Sequence, residues 1–397
     1  MRFPEFSGEW EKCKVSDLLD FYSTNSLAWE QLEYGVRGLK NLHYGLIHNG
    51  LSTCVDVDAA DLPAIKESCA PKKYTLCKEG DVAFADASED TNDVAKCVEF
   101  TNCAENSIVC GLHTIHGRDK SNKTVIGFKG YAFSAQSFRH QIRRLAQGTK
   151  IYSINSKNFS ECRIGIPSKE EQSKIATLLS LIDQRIETQK KIIEDLKKLK
   201  DAITHFHYRN ELSHSPMVYI GQYITQVSKR NKDAKIDRVL SVSNKYGFIN
   251  QDEQFEDREV ASADTSNYKV VHKGDFAYNP ARINVGSVAR LQEFENGIVS
   301  PMYVCFTAKK GLLPAYFELY LSTSIFKHEM NKRLEGSVRL CLTYESLCNI
   351  KIALPEFSVQ TDLASKVSAL LTKIKNEERL LCLYHNFKQY LLTQMFI

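Results

Sequence analysis

Twelve cysteines and eleven histidines are the side chains of this 397-residue sequence best able to hold a metal or attack a substrate. Their spacing argues against both uses. No two cysteines form a CxxC pair, and Cys97, Cys103 and Cys110 stand too far apart for a paired zinc knuckle. His113 and His116 lack metal spacing, and neither a Walker loop nor a GxSxG elbow occurs. Buried free thiols and no metal are the expectation. The stretch "NPARINVGS" has a different capacity, because it holds Asn279, Arg282, Asn284 and Ser287. Arginine and asparagine form bidentate hydrogen bonds with guanine or adenine edges, which is a chemistry of selection and not of turnover. The stretch "ADASEDTND", which follows a similar "GDVAF" turn, is acidic, and carboxylates can only accept.

Short β-type runs frame these loops: "KVSDLLDFY", "GDVAF", "SIVCGLHTI" and "TVIGF", then "VLSV", "GDFAY", "GSVARL" and "PMYVCFTA". The length exceeds what one hydrophobic core usually organises, so two domains or a duplicated unit is expected. With 43% hydrophobic, 10% aromatic and 25% charged residues, disordered and fibrous classes drop out. A net charge of +4 permits a polyanionic partner without demanding one. No run approaches the roughly 20 apolar residues that cross a bilayer, and the start lacks an apolar h-region, so no membrane association and a cytoplasmic location are expected.

The strongest helix opens after Pro167. Ser168 followed by Glu171 fits a capping box, and Glu170 and Glu171 suit the positive end of the helix dipole. Ile175, Leu179, Ile182, Ile186, Ile193, Leu196 and Ile203 follow steps of four and three, interrupted by Gln189 and Lys200. That is a coiled-coil seam, narrower than the stripe of a helix lying on a globular core. About 37 residues at 1.5 Å give a rod of roughly 55 Å. Adding 188 to each seam position lands on Leu363, Val367, Leu370, Ile374, Leu381, Tyr384 and Leu391, with the polar gaps recurring as Glu377 and Lys388.

The repetition extends upstream of the helices. "FRHQIRRLAQG" at Phe138 pairs with "FKHEMNKRLEG" at Phe326, and ungapped alignment from Phe138 to Ile186 gives nine identities. "ENSIVC" matches "ENGIVS", "YTLCKEGDVAF" matches "YKVVHKGDFAY", and "LHYGLI" matches "NKYGFI", all in order. Collinear matches of this kind mark two copies of one unit that differ mainly in loops. The expected fold class is α+β: a domain over 1–166, a helix over 167–208, a second domain over 209–354 and a second helix over 355–397.

These pieces resemble the specificity subunit of a type I restriction-modification system. The likeness is carried by "RFPEFSGEWE", the "KEGDVAF" and "HKGDFAY" turns, the "QGT" and "EGS" turns, and the helices opening "IPSKEEQSKIATLLSLIDQRI" and "LPEFSVQTDLASKVSALLTKI". The resemblance implies two target-recognition domains alternating with two long helices paired as an antiparallel coiled coil. It implies a bipartite double-stranded DNA target, two modification subunits and two restriction subunits as partners. It also implies no cofactor in this chain, the partners using S-adenosylmethionine, ATP and Mg. DNA contacts are then expected, by position, at Arg37, Lys40, Asn41, Tyr44, Thr149 and Lys150 in the first domain. In the second they are Lys245, Tyr246, Asn279, Arg282, Asn284, Ser287, Ser337 and Arg339. The acidic loop with Asp86, Glu89 and Asp90 is better read as solvated surface. The basic "FRHQIRR" and "FKHEMNKR" stretches read as amphipathic helices packed inside their domains, with phosphate contact the lesser reading.

"YNPAR" at Tyr278 also resembles the Asn-Pro-Pro-aromatic loop of amino-methyltransferases, but Ala281 and Arg282 replace its second proline and its aromatic. No glycine-rich turn for a methyl donor precedes it. A non-catalytic chain is therefore expected. An unrecognised methyltransferase and a coiled-coil adaptor without sequence preference are the alternatives.

Overall fold

The computed structural model describes residues 1–103, 107–251, 264–336 and 339–396. Its contacts divide into two compact units, Met1–Lys191 with Glu378–Ile397, and Ile192–Glu377.

In the first unit a five-stranded sheet runs in the order Leu19–Tyr22, Thr114–Asp119, Val82–Ala85, Cys97–Asn102, Cys54–Asp56, antiparallel except for its last pair. A second sheet sets Ile108–Cys110 parallel to Lys40–Leu42. A short ribbon pairs Glu11–Lys14 with Arg163–Ile166. The second unit repeats the scheme. Ile224–Val227, Val304–Ala308, Phe276–Tyr278 and Val288–Arg290 form an antiparallel sheet in that order. Asn296–Val299 lies parallel to Val239–Ser243, and Met217–Tyr219 pairs with Lys351–Ala353. The duplication read from loose sequence matches is thus a duplication of strand pairing.

The two long helices span Lys169–His214 and Phe357–Gln394. The first runs six residues past the expected end at 208, so the second domain opens after His214 and not at 209. Its 46 residues correspond to roughly 69 Å, longer than the sequence estimate, because nothing before Pro216 breaks the pattern. In the first unit, Asp183 is 2.6 Å from Lys388 while Arg185 bonds the Tyr384 hydroxyl at 3.2 Å, so the helices run antiparallel. In the second unit, Ile203 and Tyr208 share a core with Leu363 and Val367. Ile175, Leu179, Ile182, Ile186, Ile193, Leu363, Val367 and Ile374 are buried, and Leu196, Leu370 and Leu381 half-buried. The polar interruptions stay in the seam: Gln189 and Glu377 are buried, and Lys388 is the partner of Asp183.

Each helix is joined to its domain by a glutamine. Gln172 Nε2 donates to the carbonyls of Pro167 (2.9 Å) and Lys123 (3.0 Å), while its Oε1 accepts from the Val125 N–H (2.9 Å). Gln360 repeats this with Pro355, Gly311 and Leu313, each residue 188 further on. Both side chains are buried. The start of the first helix differs from the expected capping box. Ser168 accepts from the Glu171 N–H at 3.3 Å, but the Glu171 carboxylate is taken by Arg2 in a two-pronged pair at 2.7 and 2.6 Å.

Replacing Gln172 or Gln360 by Ala should cost about 2 kcal/mol of stability each, since three backbone groups lose their partner. Denaturant unfolding should show the loss, and a cost near that of a surface substitution would remove the anchoring role.

Candidate nucleic-acid interface

Polar turns of the second unit converge on one region. The Ser287 hydroxyl donates to the Val242 carbonyl at 3.0 Å, which seats the 279–287 loop against the strand leading into the 243–247 turn. Leu342 N–H donates to the Pro280 carbonyl at 3.1 Å, and the Tyr278 hydroxyl to the Leu342 carbonyl, which brings in the segment after Arg339. On this frame Arg282, Asn284, Lys245, Tyr246 and Arg339 are exposed. Tyr246 is 68% exposed, with the Lys245 ammonium 4.9 Å from its ring centroid.

Two expected contacts are instead structural. Asn279 is buried and its Oδ1 accepts from the Ala281 N–H at 3.1 Å, an Asx turn that shapes the loop. Ser287 is buried by the bond to Val242. Sequence alone does not separate an asparagine that builds a turn from one that reads a base. Ser337 lies outside the described residues.

In the first unit Arg37, Thr149 and Lys150 are exposed, Lys40 and Tyr44 half-buried. Lys40 Nζ donates to the Val36 carbonyl at 3.1 Å. Asn41 corrects the expectation: it is fully buried, and its Oδ1 accepts from Asn25 Nδ2 at 2.7 Å, so it lies inside the fold and not on the surface. Gly148 and the matching Gly336 have φ of 145° and 122°. A side chain there would collide with the carbonyls of Ile151 and Arg339, so glycine is what permits the "QGT" and "EGS" turns.

An aromatic file beside Tyr44 was not anticipated. Trp29, 44% exposed, lies 4.4 Å from His43, which lies 4.7 Å from Tyr44, and Tyr44 meets His113 edge-on at 5.2 Å. Burial, and then the nearby His113, lower the His43 pKa, which fits a neutral ring accepting from the Gly45 N–H. The residues stand far apart in sequence apart from "LHY", and no spacing announces them.

The acidic loop is occupied internally. Asp86 pairs with His113 at 3.1 Å and Asp93 with Lys96 at 3.9 Å. Arg139 bonds the Asn92 carbonyl and Arg143 the Asn92 Oδ1 at 3.1 Å. This supports the surface reading of the loop and gives the "FRHQIRR" helix a structural use.

Two copies of a loop-bearing α+β unit, alternating with two antiparallel paired helices, define a tandem-repeat architecture. Residues 56–198 match the family model described as the type I restriction modification DNA specificity domain. A Mycoplasma genitalium protein named as a type I specificity subunit is 27% identical over 201 residues, 45% of this chain and 50% of that protein. The match thus spans half the length of that relative. The specificity subunit of the type I restriction enzyme MjaIX from Methanocaldococcus jannaschii is 35% identical over 69 residues, 17% of this chain and 16% of that protein. The crystal structure of the type I restriction-modification S subunit from M. genitalium superposes with a TM-score of 0.54 at 17% identity, over 100% of this chain and 99% of that one. A chain from a structure concerned with complex assembly and conformational transition of the type I system gives 0.56 at 11% identity, over 98% and 97%. The chain is thus similar in sequence to type I specificity subunits over part of its length, and similar in fold to such a subunit throughout.

Asn279→Ala should lower stability by about 1 kcal/mol, whereas Arg282→Ala should change it by less than about 0.5 kcal/mol. Thermal unfolding of the two variants checks this. Equal losses would mean that Arg282, too, is part of the frame.

Proposed function

We propose that this chain is the DNA sequence-specificity subunit of a type I restriction-modification complex, each unit reading one half of a bipartite double-stranded target. One observation carries this reading: the two units repeat the same strand pairing while their turns differ in chemistry. Arg282, Asn284, Lys245 and Arg339 stand exposed in the second, against Arg37, Thr149, Lys150 and the aromatic file in the first. Matched frames with unlike loops suit two half-sites of unlike sequence.

The chain itself is non-catalytic in this reading. Two modification subunits supply adenine methylation with S-adenosylmethionine, and two restriction subunits cleave and translocate with ATP and Mg, all in the cytoplasm. The paired helices give the modification subunits a docking surface and set the unread spacer. Coupling two short readings rigidly makes the second half-site an intramolecular event only when the spacing fits.

Co-expression with the partner methyltransferase and single-molecule sequencing of methylated adenines tests the reading. A split motif that vanishes when this chain is omitted is the expected result, and methylation unchanged without it would refute the proposal. With Arg282→Ala, one half of the motif should relax at a discrimination cost of about 1–3 kcal/mol while the other half stays intact. One heptad inserted into each long helix should alter the spacer and leave both halves as they were. An unchanged spacer would exclude the helices as its determinant.

A further inference from the structure

The cysteines and histidines that showed no metal spacing along the chain are brought together by the fold. Cys77 lies in the segment before the Val82–Ala85 strand, Cys110 ends the Ile108–Cys110 strand, and His116 sits within Thr114–Asp119. Among the described residues, these three form a group whose ligand atoms all lie within 4.8 Å of one another, and all three are buried. The two sulfurs are 3.5 Å apart. That is far beyond the roughly 2.05 Å of a disulfide. It is close to the roughly 3.8 Å separating two thiolates on a tetrahedral ion with 2.3 Å bonds.

His116 supplies the second observation. It is fully buried, its Nε2 is 2.8 Å from Asp81 Oδ2, and its Nδ1 has nothing beside it but the Cys77 thiol, a weak partner. A thiol satisfies a buried ring nitrogen poorly, whereas a metal ion held by the same thiolate would satisfy both groups. Asp81 is itself fixed, accepting from Arg118 Nε at 2.8 Å, from Arg118 Nη2 at 2.7 Å and from the Lys78 N–H at 2.8 Å. A carboxylate holding the far nitrogen of a histidine is the arrangement that orients imidazole toward a metal.

The duplicated half provides an internal comparison. By the sequence match, Val271 stands where the first unit has Cys77, and Ser300 where it has Cys110. The donor set is therefore peculiar to one unit and is not a requirement of the shared fold. Thiolate and imidazole donors select a soft or borderline divalent cation over magnesium or calcium.

We propose that Cys77, Cys110 and His116 bind one zinc-class ion in the first unit, leaving a fourth position for water or for Cys103, which packs against the same core. The ion joins the segment before Val82 to the strands flanking the Gly111–His113 turn, and His113 is the residue that meets Tyr44 and Asp86. It would thus stiffen the base of the first unit's candidate reading surface. The assignment stands whether or not that surface reads DNA.

The test uses the full chain, purified under reducing conditions without chelator, loaded with zinc and exchanged into metal-free buffer. Elemental analysis should find about one zinc per chain, and cobalt(II) added to chelator-stripped protein should give a thiolate-to-cobalt charge-transfer band with tetrahedral ligand-field bands. The double variant C77S/C110S should retain less than about a tenth of an equivalent, while C382S, altered at an exposed thiol, should retain the full one. Because the cobalt spectrum is read on the unmutated protein, it stands even if the double variant folds poorly. Zinc below a tenth of an equivalent in the unmutated chain, cobalt without the charge-transfer band, undiminished zinc in a folded C77S/C110S, or a Cys77–Cys110 disulfide found by mass spectrometry would each overturn the assignment.

Discussion

Each unit is tied to the start of its long helix by one buried amide. Gln172 and Gln360 use both N–H donors and the carbonyl oxygen, joining the proline before the helix to two backbone groups of the loop packed beside it. No other side chain supplies this set at this reach. A carboxylate lacks the donors, and asparagine is one methylene short. The helix seam adds apolar burial along its length, which resists sliding less well than a three-way hydrogen bond does. The amide sets the register from which the seam propagates.

The seam and the duplication were legible because both are periodic. Ile175, Leu179, Ile182 and their partners 188 residues on repeat often enough that no single exception hides them. Each helix-opening phrase is led by a proline, Pro167 or Pro355. Gln172 and Gln360 lie inside that repeated segment, yet glutamine on a helix ordinarily reads as solvated surface, and only the partners reveal the joint. The turns were harder for the same reason. Asn279, Ser287 and Asn41 have the residue types of a recognition loop, but all three are buried and bonded inside the fold. Asn284, of the same type as two of them and in the same loop as Asn279, is exposed. Polar identity is visible in a sequence, whereas the direction of a polar group is a tertiary property.

The buried thiols illustrate the limit from the other side. Cys77, Cys110 and His116 come from three segments, and the spacing rules that exclude a zinc knuckle assume that ligands arrive in close pairs on one ribbon. Here the sheet brings them together, so distance along the chain says little about distance in space. The twin unit, with Val271 and Ser300 in two of the places, shows that the frame closes without them.

The acidic loop of the first unit alters how the chain's charge should be counted. Lys96 is turned onto Asp93, and Arg139 and Arg143 hydrogen-bond Asn92, so these three basic side chains are engaged within the protein. Affinity for a duplex falls with salt in proportion to the phosphates a protein neutralises, because each displaces condensed counterions. Cations already committed internally release none. Under the proposed function, the first unit's affinity would therefore fall less steeply with ionic strength than its number of basic residues suggests.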